Sequence, residues 1–442
     1  MLSLDKLKSF LRDDPLIRRV LRNSGYLFSG NTISAALGFL QGILVVRLLG
    51  IEQFGALTAI LLFASNVNRL LSFRMSEVTV RYIGEAFAQN QTERAASLAK
   101  WIGLAEAITS VLAYIVLFIL AQWFSKDPAA IGLYRYYGLF LLANLVYETS
   151  TGVLQVTDKF KQVAFANLLQ SIAITILILL AFFMRWGMFE ILTAYLAGKL
   201  LAALVVTGSA VGELQRKLGS AWVQASPRLV TEWKEIAGFA LNTNINGTVN
   251  LFARDNVPLY IQYLVSDVAL GYFRLATSLI NLVMLPIEPL IWPTYAEITK
   301  TISQKQWQAT RRLLKQVSAI GGAWTLLAGG GLAALGWWLI PFLYGAESAP
   351  AYACVLILLV GYSIANVMNW NRPLLLALGH PNYPLVVAAI TGALEIILLF
   401  LLVPSGGYLV GAAIFSAYLA ISILINVARG LSILNRHEAA AP

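Results

Sequence analysis

The sequence has little with which to build soluble chemistry. One cysteine, Cys354, stands inside an apolar run, so the chain forms no internal disulfide, and two histidines, His380 and His437, are too few for a histidine-rich metal site. No GxxxxGKS/T phosphate loop is present, which removes the simplest route to ATP hydrolysis by the chain itself. Charge is scarce: 12% of the 442 residues are Asp, Glu, Lys or Arg, where a soluble chain carries about 25%. No polar stretch is long enough for a separate globular domain, and neither a metal nor an organic cofactor is expected.

What is abundant is apolar sequence, 58% of the chain, in runs of about 20 residues that each suffice to cross a hydrocarbon core of about 30 Å. Hydropathy and turn punctuation predict an all-α, polytopic membrane protein with twelve spans. Spans one to six are expected near 25–47, 55–73, 101–123, 134–154, 163–183 and 189–211. Spans seven to twelve are expected near 236–258, 272–292, 317–339, 351–376, 383–402 and 407–428. Residues 1–24 carry six Lys and Arg among apolar residues at helical spacing, with no small-residue cleavage site after a short apolar core. They read as an amphipathic cytoplasmic lead-in broken at Pro15, and not as a secretory signal.

Lys and Arg set the orientation. With the N-terminus cytoplasmic, the inside segments hold 23 of the 32, and the outside ones only Arg47, Lys126, Arg135 and Arg185. The positive-inside rule then places both termini in the cytoplasm. The net charge of +10 is explained by cytoplasmic loops beside anionic lipid. The basic residues are scattered over many loops with no recognition module, so nucleic acid is not an expected partner.

The chain also repeats itself. The segment 48–55, ending Phe54-Gly55, and the segment 264–271, ending Leu270-Gly271, lead into spans two and eight at an offset of 216, and span three falls on span nine at the same offset. Span four matches span ten at an offset of 222, pairing Asn144 with Asn366. Six spans per repeat preserve topology, which implies two six-helix bundles as parallel repeats, 25–211 and 236–428, with a polar linker at 212–235 and a cytoplasmic tail at 429–442.

Polar residues inside spans are costly, about 2.5 to 3.5 kcal/mol for a mid-bilayer charge, so their faces should line protein or water. In span seven Asn242, Asn246, Asn250 and Arg254 fall four apart, with Asp255 beside the last. Span eight carries Arg274, Ser278, Asn281 and Glu288 on one face. Span two has Arg69, span four has Asn144, Glu148 and Thr151, and span ten has Tyr362, Asn366 and Asn369 followed by Arg372. Blander readings stand beside these. Arg47, Arg274 and Glu106 lie near span ends, where a long side chain can reach the interface. The asparagines can be interhelical glue, and Glu395, alone in span eleven, reads as a buried structural group. Gly329-Gly330-Gly331 and the pair Gly407 and Gly411 read as close-packing positions.

Gly30-Asn31-Thr32, Leu48-Leu49-Gly50, Phe54-Gly55, Arg81-Tyr82 and the span-ten exit Leu376-Ala377-Leu378-Gly379-His380-Pro381 together resemble Wzx-type polysaccharide and O-antigen flippases. These belong to the multidrug/oligosaccharidyl-lipid/polysaccharide exporter superfamily. The resemblance implies a bacterial plasma-membrane transporter without bond-making catalysis. It would move a polyprenyl-pyrophosphate oligosaccharide to the outer leaflet, with membrane lipid and other polysaccharide-assembly proteins as partners. The residues agree with such a ligand. Arginine is permanently charged and binds phosphate bidentately, which recommends Arg69, Arg254, Arg274 and Arg372 for the pyrophosphate. Asn246, Asn250, Asn281, Asn366, Asn369 and Tyr362, with Trp370, suit sugar hydroxyls and faces. Asp255, Glu148 and Glu288 are the candidates for coupling an ion. Two alternatives are a multidrug cation antiporter, opposed by the absence of an acid in span one, and a membrane glycan polymerase or acyltransferase, opposed by the short outer loops.

Overall fold

The computed structural model describes residues 15–124, 128–227 and 230–439, with side chains throughout these except at 15–29, 31, 220, 221, 245, 246, 250 and 292. The first 14 residues of the expected lead-in therefore lie outside the described residues. Pro15 opens the first helix, the position where a missing N–H costs nothing. The described chain is helical, with no strand, as lipid demands of a backbone that must satisfy its own hydrogen bonds.

Nine helices are long and apolar enough to cross a membrane among the described residues. Two long helices are broken by a glycine outside helical geometry. Pro15–Leu71 turns at Gly50 (φ 78°) and Asn382–Ala439 at Gly407 (φ 71°), so each supplies two of the expected spans. A positive φ is available to glycine without a Cβ penalty. Gly407 is therefore a turn residue and not the close-packing position expected of it. Its companion Gly411 does pack, against Ile261. Of the glycine triplet only Gly329 meets a neighbouring span, at Leu359, while Gly330 and Gly331 face open space.

The chain divides into two compact units, residues 1–42 with 67–245 and residues 43–66 with 246–442. The first is built on Val78, Ile83, Leu98, Ile102, Leu154 and Val206, and the second includes a core of Ile298, Leu314, Leu374 and Leu434.

Spans four and ten are both interrupted, at places that correspond in the repeat to within two residues. Span four leaves the helix at Asn144 and resumes at Tyr147; span ten leaves it at Met368 and resumes at Asn371. Each break frees backbone groups that lipid cannot satisfy. In span four the new helix start is served by Glu106 of span three. Its carboxylate accepts the N–H groups of Glu148 and Thr149, both at 2.8 Å. Glu106 is 2% exposed, so it does not reach the interface as its place in the sequence allowed. In span ten the ending helix is served instead, by amides of Asn369 and Asn371 that donate to the carbonyls of Asn366 (3.0 Å) and Met368 (2.8 Å).

Spans two and eight cross within the second unit at the two glycines that the repeat equates. A Cβ on Gly55 would lie 1.8 Å from the Asp267 carbonyl oxygen, and one on Gly271 would lie 2.6 Å from the Ile51 carbonyl oxygen. Residues 51 and 267 are themselves 216 apart, as 55 and 271 are. The contact is thus reciprocal, like an isologous interface in which i meets j and j meets i.

Candidate substrate cavity in the C-terminal unit

The second unit encloses a cavity of about 470 Å³ around the break in span ten. Spans seven, eight, ten, eleven and twelve supply its wall. Arg254 comes from span seven. Met284 ends the helix of span eight, and Glu288, expected inside that span, lies in a 3-10 turn after it. Tyr362, Asn366, Asn369 and Arg372 come from span ten, and Pro381 and Pro384 open span eleven. Tyr418, Ser422 and Asn426 descend span twelve. The ionisable acids and bases of the wall are therefore two arginines and one glutamate.

Arg254 reaches this wall through a local widening of span seven. Residues Leu251–Asp255 form a π-helical turn between the helices Trp233–Asn250 and Val257–Leu264. A π turn holds one residue more than an α turn and so changes which face the next residue presents. The turn begins just after Asn250 and takes in Arg254, so the four-residue step expected there is not that of a continuous α-helix, and Arg254 faces the cavity of the second unit. The Tyr362 hydroxyl lies within electrostatic range of the Arg254 guanidinium, and of Asp255 and Arg274.

The remaining expected site residues are distributed as follows. Arg372 joins Arg254 on the cavity wall although it stands past the break, near the end of span ten. Asn281 is exposed and Arg274 half-buried, and neither lines the cavity. Arg69 and Glu148 belong to the first unit, Arg69 exposed and Glu148 half-buried. The side chains of Asn246 and Asn250 lie outside the described residues. Trp370 does not stack on a ligand. It is 4% exposed, and its indole N–H donates to Ser318 at 2.7 Å, because the break in span ten turns the ring into the core. Arg47 is exposed, as its place at a span end allowed, and it also donates to the carbonyls of Leu343 at 2.7 Å and of Phe342, in the last turn of the span-nine helix. Glu395 is buried, and neither of its oxygens has a hydrogen-bond partner among the described residues.

Sequence reasoning missed the span-twelve wall. Tyr418, Ser422 and Asn426 fall four apart, the same signal that picked out span seven, inside a run otherwise rich in Leu, Ile and Ala. For metals, no group of three or more His, Cys, Asp or Glu stands together among the described residues.

Comparison with known proteins gives three results. Residues 20–293 match the family model described as polysaccharide biosynthesis protein. Over 155 residues the chain is 23% identical to inner membrane protein YghQ of Escherichia coli K12. That match covers 34% of this chain, and the chain spans 43% of that curated relative's length. Among solved structures, an inward-facing multidrug resistance MATE family transporter superposes with a TM-score of 0.74 at 12% identity, over 92% of this chain and 96% of that one. The lipid II flippase MurJ in an inward closed conformation gives 0.70 at 14% identity, over 93% and 91%. A MOP superfamily transporter from Pyrococcus furiosus, described as having a binding pocket of reverse polarity, gives 0.65 at 13% identity, over 97% and 98%. At these identities the structural likeness establishes the fold.

Proposed function

Because the chain belongs to the polysaccharide biosynthesis protein family, matched over 20–293, we propose that it is a flippase for polyprenyl-pyrophosphate-linked saccharide. It would carry that lipid from the cytoplasmic to the outer leaflet of a bacterial inner membrane, with both its termini in the cytoplasm. The observation that carries this reading is the cavity wall, where Arg254 and Arg372 stand beside amides and hydroxyls. A lipid pyrophosphate is dianionic or more, and two fixed guanidinium groups match it while neutral polar groups match a sugar. The same charge balance works against an organic cation, which two arginines and one glutamate would repel. A MurJ-like fold is compatible with this use.

The transport cycle we propose is alternating access driven by gradients or by exchange of lipid, with Asp255, Glu148 or Glu288 as the acid that carries an ion. Assembly enzymes of the same polysaccharide would supply the substrate. Reconstitution in sealed vesicles with a fluorescent polyprenyl-pyrophosphoryl hexose tests the assignment. Loss of one charge-assisted phosphate contact should weaken binding by about 1.5 to 3 kcal/mol, roughly ten- to hundredfold. Arg254→Ala and Arg372→Ala should each lose that much, with Arg→Lys recovering part because it keeps charge but loses the planar fork. Full flipping by both well-folded alanine variants would refute the site.

A further inference from the structure

Span six carries a lysine that the hydropathy of its helix conceals. Lys199 lies in the helix Met188–Leu218, about 16 Å along the axis from Met188 at about 1.5 Å per residue. That is near the middle of a hydrocarbon core of about 30 Å, too deep for the amine to snorkel to either interface. It does not turn to lipid either. Leu200 and Leu204 belong to the exposed side of this helix, and Lys199 points about 100° away from the first and about 140° from the second. It shares a side with Leu192, Val206 and Ala210, all buried, yet it is itself half-buried and keeps accessible surface. Among the described residues its side chain makes no hydrogen bond and no ion pair, and no other charge acts on it.

The repeat shows what that side of the helix is used for. Buried positions of span six fall on buried positions of span twelve 220 residues later: Leu192 on Ala412, Leu196 on Ser416, Ala202 on Ser422, Val206 on Asn426 and Leu214 on Leu434. Lys199 then corresponds to Leu419, which lines the cavity of the second unit beside Tyr418 and Ser422. The face that forms the wall in one half is thus the face from which Lys199 projects in the other. A leucine at the equivalent place also shows that the fold asks for no charge there.

A charge inside a membrane is kept with a counter-charge beside it. The described chain offers Lys199 no carboxylate, so the anion must come from outside the chain. We propose that Lys199 is the anion contact of the first unit and takes a phosphate group of a lipid headgroup, on the flippase reading that of the polyprenyl pyrophosphate. This deepens the flippase reading and rests on it. Each half of the repeat then brings its own cation to that ligand, a lysine in the first and arginines in the second. The compact ammonium meets a single phosphate oxygen from any direction, where a guanidinium forks onto two.

The test uses the purified full chain in detergent and three probes. They are geranylgeranyl pyrophosphate, geranylgeraniol with the same tail and no anion, and dioleoyl phosphatidylglycerol as an ordinary membrane phosphate. Lys199→Met keeps the length of the side chain and removes the charge, and Lys199→Leu, the residue of the equivalent place, serves should methionine fold poorly. Losing one charge-assisted phosphate contact should lower affinity for the pyrophosphate about ten- to hundredfold, with Lys199→Arg losing less. Geranylgeraniol should bind wild type and variants alike. Without ligand, Lys199→Met should withstand heating at least as well as the wild type because it removes an uncompensated charge, whereas a lysine that serves only the fold would leave it weaker. Unchanged affinity of Lys199→Met and Lys199→Leu for the pyrophosphate would overturn the contact, and the flippase reading would stand if Arg254→Ala still weakened binding. Loss of phosphatidylglycerol binding alone would overturn the substrate contact in favour of a site for bulk lipid. Failure of the wild type to bind the pyrophosphate would end both readings.

Discussion

Replacing Glu106 with alanine removes two acceptors at once from the second half of span four. The carboxylate is 2% exposed and holds the N–H groups of Glu148 and Thr149 at 2.8 Å each, so no water stands ready to replace it. Each orphaned buried N–H costs about 1 to 3 kcal/mol, which puts Glu106→Ala at about 2 to 6 kcal/mol. Glu106→Gln is the informative partner. Its single oxygen can keep one bond while its NH2 faces the other N–H, so it should lose about half as much. Heating detergent-solubilised protein and measuring the monodisperse fraction by gel filtration gives the order directly: wild type, then glutamine, then alanine. The exposed Glu93→Gln serves as a control and should match the wild type. An alanine variant that survives heating like the wild type would show that the break in span four does not depend on this carboxylate.

A second perturbation is acid. Burial acts to raise the Glu232 carboxyl, but the Arg94 guanidinium at 2.7 Å outweighs it and holds the group below its ordinary 4.5. A depressed carboxylate contributes stability above the ordinary value and loses it as pH falls through the lower folded value. Glu232→Gln should therefore melt earlier than wild type at pH 7, with the gap closing as pH falls through the lowered folded value of the carboxyl; a gap that persists once the carboxyl is protonated would contradict the assignment. The orientation can be read by labelling single cysteines at Ala346 and Ser405, both exposed, with an impermeant maleimide, since the buried Cys354 adds little background. Both should label in intact cells, and labelling only after permeabilisation would reverse the topology.

Hydropathy marked most of the spans because lipid leaves a chain few choices, but expected span seven is not among the described helices long and apolar enough to cross a membrane, and pairing Asn144 with Asn366 aligned spans four and ten without showing that both are broken. What sequence could not show is which way a helix turns after an irregularity. The four-residue count along span seven assumes a continuous α-helix, and the π turn at 251–255 breaks it. Trp370 sits beside polar neighbours in sequence, yet the span-ten break points its ring at Ser318. Glu106 looked like a residue free to reach the interface because its partners, the backbone N–H groups 42 and 43 residues away, carry no signature of their own. Gly407 shares the GxxxG spacing of packed helices, and only its φ of 71° reveals a turn.

The reciprocal clearance at Gly55 and Gly271 bears on how such a chain arises. A half-length ancestor pairing with a second copy of itself would make both clearances from one codon, so any substitution there would count twice. Once two copies are joined in one reading frame, each glycine is inherited separately and each side of the crossing can vary while the other holds. Residues away from the crossing are then free to change in one half without the other.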